Sequence, residues 1–330
     1  MQVAIEKEIL TDVIRKVSNV VNTKTTIPVL NNIYLEAQGD KLYLAATDLE
    51  VYIRSGVDAK VERQGKTTLP ARKFAQIINA LPDGEIKLET GEQEQTSISC
   101  EKSFFKMTGL SADEFPEEEE LNGDWTFTIS SSVLKKMLHK VSYAASTDEN
   151  RHVLNGVLFS IRSGMLTAVG TDGRRLALIE QTLDDDAISD CDVILPPKII
   201  SELMKVLDKE AETSICLTDS RAAFSLADSL ITSKLVEGTY PNYRQVIPAS
   251  YSNSVVMPRE TLAEVVNRVA MVVTESSASI KMNLENTQAV VSAMSAEVGE
   301  SSEPIEISYE GEPMSISFNP QFLVEPLKHM

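Results

Sequence analysis

An internal repeat constrains the fold of this chain more than any other feature of the sequence. The segment VLNGVLFSIRSGMLTAVGTDGRR, which begins at Val153, aligns without a gap over VLNNIYLEAQGDKLYLAATDLEV, which begins at Val29, 124 positions earlier. Each copy contains two short apolar runs separated by a glycine-containing turn, a pattern typical of a β-hairpin. Self-similarity of this length indicates a fold assembled from repeated structural units.

Each of the three units is predicted to contain two helices. An amphipathic helix follows a short strand within residues 3–23, and its apolar spacing returns 124 and 252 positions later. Its apolar positions are Leu10, Val13, Ile14, Val17 and Val21, then Leu134, Met137, Leu138, Val141 and Ala145, then Leu262, Val265, Val266, Val269 and Val273. A second helix is predicted after Leu69-Pro70, after Leu195-Pro196 and after Phe318-Asn319, and Pro326 should kink or shorten the last one.

Polar segments mark the joints between the units. The pattern is interrupted from Asp113 to Asp124 and again from Pro241 to Ser254. The sequence therefore predicts an α+β fold of three repeated domains, residues 1–124, 125–252 and 253–330, each with two helices packed on antiparallel sheet. The third unit stops at Met330 soon after its second helix begins, so it is expected to be incomplete at its C-terminus and to lack its closing strands.

The net charge of −18 argues against a simple electrostatic nucleic-acid binder, because acidic surface repels phosphate. The acids are concentrated in runs at 117–120 and 184–186, however, and a basic cluster lies at Lys135, Lys136, His139 and Lys140. The sequence shows neither a secretory signal nor a membrane-length apolar run. Its three cysteines are isolated, which fits reduced thiols. We therefore expect a cytoplasmic protein that does not bind membranes.

Motifs for catalysis, cofactors or metals are absent from the sequence. It contains no glycine-rich phosphate loop, no dinucleotide fingerprint and no paired His-Glu metal motif. We therefore expect a non-catalytic protein without cofactor or metal. A hydrolase that uses Asp172 with His152 is one alternative. Since the Thr171-Asp172 pair recurs as Thr47-Asp48, a hydrogen-bonded tight turn explains these residues better.

Several motifs, spread along the whole chain, resemble the bacterial sliding clamps, the beta subunits of DNA polymerase III. They are Ile27-Pro28-Val29-Leu30-Asn31, Leu69-Pro70-Ala71-Arg72-Lys73, Arg151-His152-Val153-Leu154-Asn155-Gly156, Thr171-Asp172-Gly173-Arg174-Arg175-Leu176, Ser233 to Gly238, Tyr240-Pro241-Asn242-Tyr243-Arg244 and Phe318-Asn319. The resemblance implies a homodimer of three-domain crescents that join head to tail. The resulting ring would encircle double-stranded DNA and tether the replicative polymerase for processive synthesis.

The resemblance also implies site residues and partners. The partner-peptide pocket is expected at Leu154, Thr171, Gly173, Arg174, Arg175, Leu176, Pro241 and Val246. The dimer interface is expected at Lys73, Ile77, Phe105, Met271, Val272, Glu300 and Glu303. Candidate DNA contacts are Lys24, Arg72, Arg151, His152 and Lys198. The implied partners are DNA, the polymerase III alpha subunit, the clamp loader, other polymerases and repair proteins with clamp-binding peptides, and a second copy of the chain.

A monomeric repeat protein that recognises peptides without acting on DNA is the principal alternative. The strongly acidic composition suits such a protein. It would show no retention on DNA, whereas a hydrolase would show turnover.

Overall fold

The computed structural model describes residues 1–21, 25–118, 121–184, 188–207, 211–274 and 278–330. Three α+β units follow one another in this part of the chain, and in each unit two helices pack on antiparallel strands. The architecture predicted from the repeat is therefore confirmed.

The elements of the first and second units alternate in the same way. The first unit contains β1 (Gln2–Glu6), α1 (Lys7–Ser18), β2 (Asn32–Gln38), β3 (Lys41–Thr47), β4 (Val51–Asp58), β5 (Lys60–Arg63), β6 (Gly65–Pro70), α2 (Ala71–Ala80), β7 (Glu85–Thr90), β8 (Gln95–Cys100) and β9 (Ser103–Thr108). The second contains β10 (Trp125–Ser130), α3 (Ser131–Val141), the short α4 (His152–Asn155), β11 (Val157–Arg162), β12 (Met165–Thr171), β13 (Leu176–Thr182), β14 (Cys191–Leu195), α5 (Pro197–Val206), β15 (Glu212–Leu217), β16 (Arg221–Leu226) and β17 (Ser229–Lys234).

The third unit contains α6 (Arg259–Val269), β18 (Ile280–Leu284), β19 (Gln288–Ser295), β20 (Gly299–Glu306), β21 (Met314–Phe318) and α7 (Pro320–His329). Helix α7 has ten residues, so Pro326 does not make it shorter than α2 and α5. The other half of that expectation, a kink at Pro326, stays a prediction. Val324 and Leu327 on either side of the proline are buried. Their packing holds the last turn despite the missing backbone donor.

The apolar positions predicted for the first helices lie in the cores. The four positions of α1 from Leu10 to Val17 are buried, as are Leu134, Met137, Leu138 and Val141 of α3. In α6 the buried positions are Val265, Val266 and Val269. These faces pack into one core that spans the first two units and into a second core within the third.

One sheet crosses the joint between the first and second units. Its strand order is β10-β15-β16-β17-β4-β3-β2-β6, so the two units share a single eight-stranded layer. The joint itself is the antiparallel pair β4 and β17, in which Ile53 lies opposite Ile231 and Arg54 lies opposite Leu230. The other sheets are β5-β1-β7-β8-β9, β13-β12-β11-β14 and β20-β19-β18-β21, and β9 and β20 are two of their edge strands.

Side chains of α7 join the third unit to the second. The His329 ring stacks on Tyr143, with 4.5 Å between ring centroids, and its Nδ1 lies 3.3 Å from Nδ1 of His139. Burial, and after it the neighbouring His139, lowers the pKa of His329. A hydrogen bond with His139 and the charge of Glu325 oppose this shift, and Lys328 adds to it. The folded contact therefore favours a neutral His329 ring.

Acid should weaken this contact. Because the folded state disfavours the protonated ring, the unfolded chain binds the proton more readily, and stability is lost as pH falls below the ordinary histidine value of about 6.5. The stabilisation from this ring is fully present above that pH. Between pH 7.5 and pH 5.5, the free energy of unfolding should decrease less for His329→Gln than for wild type. An equal loss in both proteins would contradict the assignment.

Candidate functional site

The Thr171-Asp172 pair forms the predicted turn. Oδ1 of Asp172 accepts hydrogen bonds from the backbone N–H groups of Arg174 and Arg175 at 2.9 and 3.0 Å. Oγ1 of Thr171 donates to the carbonyl oxygen of Arg175 at 2.6 Å and accepts from the Gly173 N–H at 3.1 Å. Gly173 has φ +83°, a conformation that glycine adopts without steric cost.

The first unit contains the same turn with different side chains. Oδ1 of Asp48 accepts from the N–H groups of Glu50 and Val51 at 3.1 and 2.9 Å, and Oγ1 of Thr47 donates to the Val51 carbonyl oxygen at 2.9 Å. Leu49 takes the position of Gly173, with φ 74°. Both aspartates therefore accept hydrogen bonds from the backbone of their own turn. Asp172 has this structural role, which argues against its use as the acid of a hydrolase.

Removing the Asp172 carboxylate should destabilise this turn. Asp172→Ala breaks two backbone hydrogen bonds and the contact between Oδ2 and Nε of Arg175, so the free energy of unfolding should fall by about 2 kcal/mol. Asp219→Ala is the control, since that exposed turn aspartate makes no such bond among the described residues. Chemical denaturation followed by circular dichroism measures both. Equal effects would show that Asp172 is not structural.

Arg175 lies between the second and third units. Its guanidinium donates to the Tyr143 carbonyl oxygen at 2.8 Å and forms ion pairs with Asp172 and with Glu325 of α7. It also lies 5.0 Å from the centroid of the Phe322 ring. The prediction placed Arg175 at the rim of a peptide pocket, but its donors already bind these groups.

A groove of about 340 Å³ lies above the turn. The structure brings all eight residues of the predicted pocket to its walls, and adds Asn242 and Tyr243. The two additional residues lie between Pro241 and Val246, so their position in the sequence could have identified them. Leu154 and Leu176 pack on a buried cluster beneath the groove that includes Leu158, Val169, Ile194, Tyr240 and Tyr243. Val246 is 69% exposed at its rim.

The candidate DNA contacts have different surroundings. Lys24 lies outside the described residues. Arg72 and His152 are exposed, and Arg151 is exposed beside the turn, where its Nη1 donates to the Asp172 carbonyl oxygen at 3.2 Å. Lys198 forms an ion pair with Asp48 of the first unit, which neutralises its charge at the joint between the units.

The predicted interface residues lie on strands β9 and β20, on helix α2 and directly after helix α6. Phe105 is on edge strand β9 and is 39% exposed, while Met271 directly after α6 is 75% exposed. Lys73 and Glu300 are exposed, and Ile77 and Val272 are half-buried. On edge strand β20, the Glu303 carboxylate accepts hydrogen bonds from Nη2 and Nε of Arg268 in the same chain, at 2.6 and 3.0 Å. These bonds lower the pKa of Glu303.

Among the described residues, the His, Cys, Asp and Glu side chains form no group of three or more that could hold a metal ion. None of the helices in that part of the chain has the length and apolar character needed to cross a membrane.

Models of the DNA polymerase III beta subunit match three consecutive segments of the chain. The N-terminal-domain model matches residues 1–119, the central-domain model 128–242 and the C-terminal-domain model 244–330. The chain belongs to the DNA polymerase III beta subunit family. The expectation that the third unit lacks closing strands is not borne out by these comparisons.

Relatives within this family align over nearly the entire chain. The "Beta sliding clamp" of Chlamydia muridarum is 34% identical over 329 residues, which cover 100% of this chain and 90% of that protein. The "Beta sliding clamp" of Caulobacter vibrioides is 32% identical, with coverage of 98% and 89%. Proteins of this family are non-catalytic processivity factors. These matches do not support the alternative of a peptide-binding repeat protein that does not act on DNA.

Solved structures show the same fold. The DNA polymerase III subunit beta of Pseudomonas aeruginosa superposes with a TM-score of 0.94 at 32% identity, and covers 100% of this chain and 90% of its own. The DNA polymerase sliding clamp of Bacillus subtilis gives a TM-score of 0.95 at 28% identity, with the same coverage.

Proposed function

We propose that this protein is a cytoplasmic DNA sliding clamp, a ring-shaped homodimer that encircles duplex DNA and tethers the replicative polymerase. The antiparallel joint between β4 and β17 carries the proposal, because it joins the first and second units in one continuous sheet. We place the joints between domains near residues 124 and 252. The proposed partners are the polymerase III alpha subunit, the clamp loader, and other polymerases and repair proteins that carry clamp-binding peptides.

The same kind of joint can form between two copies of the chain. The β8–β9 hairpin matches the β16–β17 hairpin, since Cys100 pairs with Ser103 as Leu226 pairs with Ser229. Strand β20 matches β4, because each is the outer neighbour of the second strand of a hairpin. Edge strands β9 and β20 therefore offer the two halves of a β4–β17 joint, and unpaired edges favour strand addition.

The intrachain register predicts which residues meet. Thr232 lies opposite Tyr52 and Ile231 opposite Ile53, which places Lys106 opposite Glu300 of the second copy and Phe105 opposite Ser301. The first of these pairs joins opposite charges. Oγ of Ser301 donates to the Val269 carbonyl oxygen, so Phe105 would lie close to Met271 and Val272. Four of the predicted interface residues, Phe105, Met271, Val272 and Glu300, would then meet at this joint.

The inner surface is proposed to face DNA with a loose set of cations rather than a tight site. Arg72, Arg151 and His152 remain candidates, and we add Lys136 and Lys140 of α3. Lys198 is a weaker candidate, because Asp48 already neutralises it.

Retention on DNA should depend on topology rather than salt. An ordinary binder with six to ten phosphate contacts loses roughly 10³ to 10⁵ in affinity between 50 and 200 mM salt. A closed ring loaded on nicked circular DNA by an ATP-driven clamp loader should stay bound at high salt and leave after the circle is linearised. Gel filtration of loaded complexes measures both. Equal loss from circles and linear DNA would refute the clamp.

A further inference from the structure

Two histidines from different units lie in contact between α3 and α7. His139 is on α3 of the second unit, and His329 is the last residue of α7 in the third unit, 190 positions later. Their Nδ1 atoms are 3.3 Å apart, and their ring centroids are 4.3 Å apart with 47° between the ring planes. The packing of the third unit against the second therefore creates a pair of imidazoles that no sequence motif contains.

The surroundings of this pair fix its position and leave it open to solvent. The His329 ring stacks on Tyr143, with 14° between the two ring planes. Glu325 lies one turn before His329 on α7, and its ion pair with Arg175 ties this part of the helix to the second unit. His139 is exposed and His329 is half-buried. A small solute can therefore reach the two rings without any movement of the helices.

The separation of the two nitrogens matches that of two ligands on one metal ion. Bonds from zinc to imidazole nitrogen are about 2.0–2.1 Å long, and two such bonds at the tetrahedral angle hold their nitrogens about 3.3–3.4 Å apart. A neutral imidazole binds metal through the lone pair of one nitrogen and carries its proton on the other. When both rings carry the proton on Nε2, two Nδ1 lone pairs face the same small space, which a cation can fill.

The ligand type favours a transition metal over the alkaline-earth ions. Imidazole suits Zn²⁺, Cu²⁺ and Ni²⁺, whereas Mg²⁺ and Ca²⁺ prefer oxygen ligands. In the described ranges no carboxylate or thiol completes a group of three with these histidines, so water fills the other positions around the ion. Lys140 and Lys328, the sequence neighbours of the two histidines, oppose a bound cation. The site is therefore expected to exchange its ion with solvent.

We propose that His139 and His329 bind one Zn²⁺ ion through their Nδ1 atoms, and that the ion ties α3 of the second unit to α7 of the third. Two metal bonds then replace the contact between the rings, so the bound ion stabilises the packing of the third unit on the second. The sequence predicted no metal because its motifs are local, whereas these two ligands are 190 positions apart.

Isothermal titration of the full chain with ZnCl2 at pH 7.5 tests the site. Wild type should bind one Zn²⁺ per chain at its tightest site, and millimolar MgCl2 should not displace it. His139→Gln and His329→Gln should each weaken binding at this site by roughly tenfold to a hundredfold, since even the loss of an outer partner of a metal ligand costs that much. His152→Gln is the matched control, because it changes the remaining one of the three histidines and should bind Zn²⁺ as wild type does.

Thermal unfolding separates lost binding from lost folding. Because His139 is exposed, the unfolding midpoint of His139→Gln in EDTA should stay close to that of wild type. Zn²⁺ should raise the midpoint of wild type and of His152→Gln, but not that of His139→Gln. Unchanged zinc affinity in either His139→Gln or His329→Gln overturns the two-histidine site, and so does the absence of zinc binding by wild type.

Discussion

Leu176→Asp should weaken the binding of a clamp-binding peptide by about 2 kcal/mol or more, roughly thirtyfold in Kd. Leu176 lines the groove and packs on the apolar cluster beneath it. A carboxylate there removes apolar contact from the peptide anchor and places an unpaired charge where the anchor excludes water. Fluorescence anisotropy with a labelled peptide measures the change.

Because Leu176 also packs on the cluster, a second variant separates lost binding from lost folding. Val246→Asp changes a groove residue that is 69% exposed, so it should weaken binding by about 1 kcal/mol and leave the unfolding midpoint unchanged. Unchanged binding by both folded variants would place the partner site elsewhere on the protein.

Phe105→Asp should weaken homodimer formation by about 3 kcal/mol, more than a hundredfold in the dissociation constant. If the proposed joint follows the register of β4 and β17, Phe105 would point toward Met271 and Val272 of the second copy and Phe104 toward the opposite face of the sheet. Phe104→Asp is therefore the matched control and should have the smaller effect. Sedimentation equilibrium measures the dissociation constants of both variants.

The charges at this interface test the register independently. Lys106→Glu places an acid opposite Glu300 and should weaken the dimer, and Glu300→Lys in the same chain should restore the attraction. The register would be wrong if the double variant lost as much free energy of dimerisation as the two single variants lose together. Equal effects of Phe104→Asp and Phe105→Asp would also contradict it.

Much of the fold and of the site could be predicted from the sequence because the signals are local or repeated. The apolar spacing of Leu10, Val13 and Val17 recurs in α3 and α6, and helical geometry alone places such residues on one buried face. The Thr-Asp pair specifies its turn through hydrogen bonds within five residues, from Thr171 to Arg175. The family resemblance named the pocket residues, and the structure places them around one groove, while their role in peptide binding stays a prediction.

Tertiary structure alone decided how the charges are used. Arg174 and Arg175 are neighbours of the same type, yet one is bound to α7 and the other is exposed at the groove. Lys198 looked like a free cation, but it is paired with Asp48, 150 positions away. Pro326 looked like a helix breaker, but buried neighbours on both sides hold α7 together. A sequence determines the local hydrogen bonds and apolar periodicity, whereas the partner of a charged side chain depends on which distant segments the packed core brings beside it.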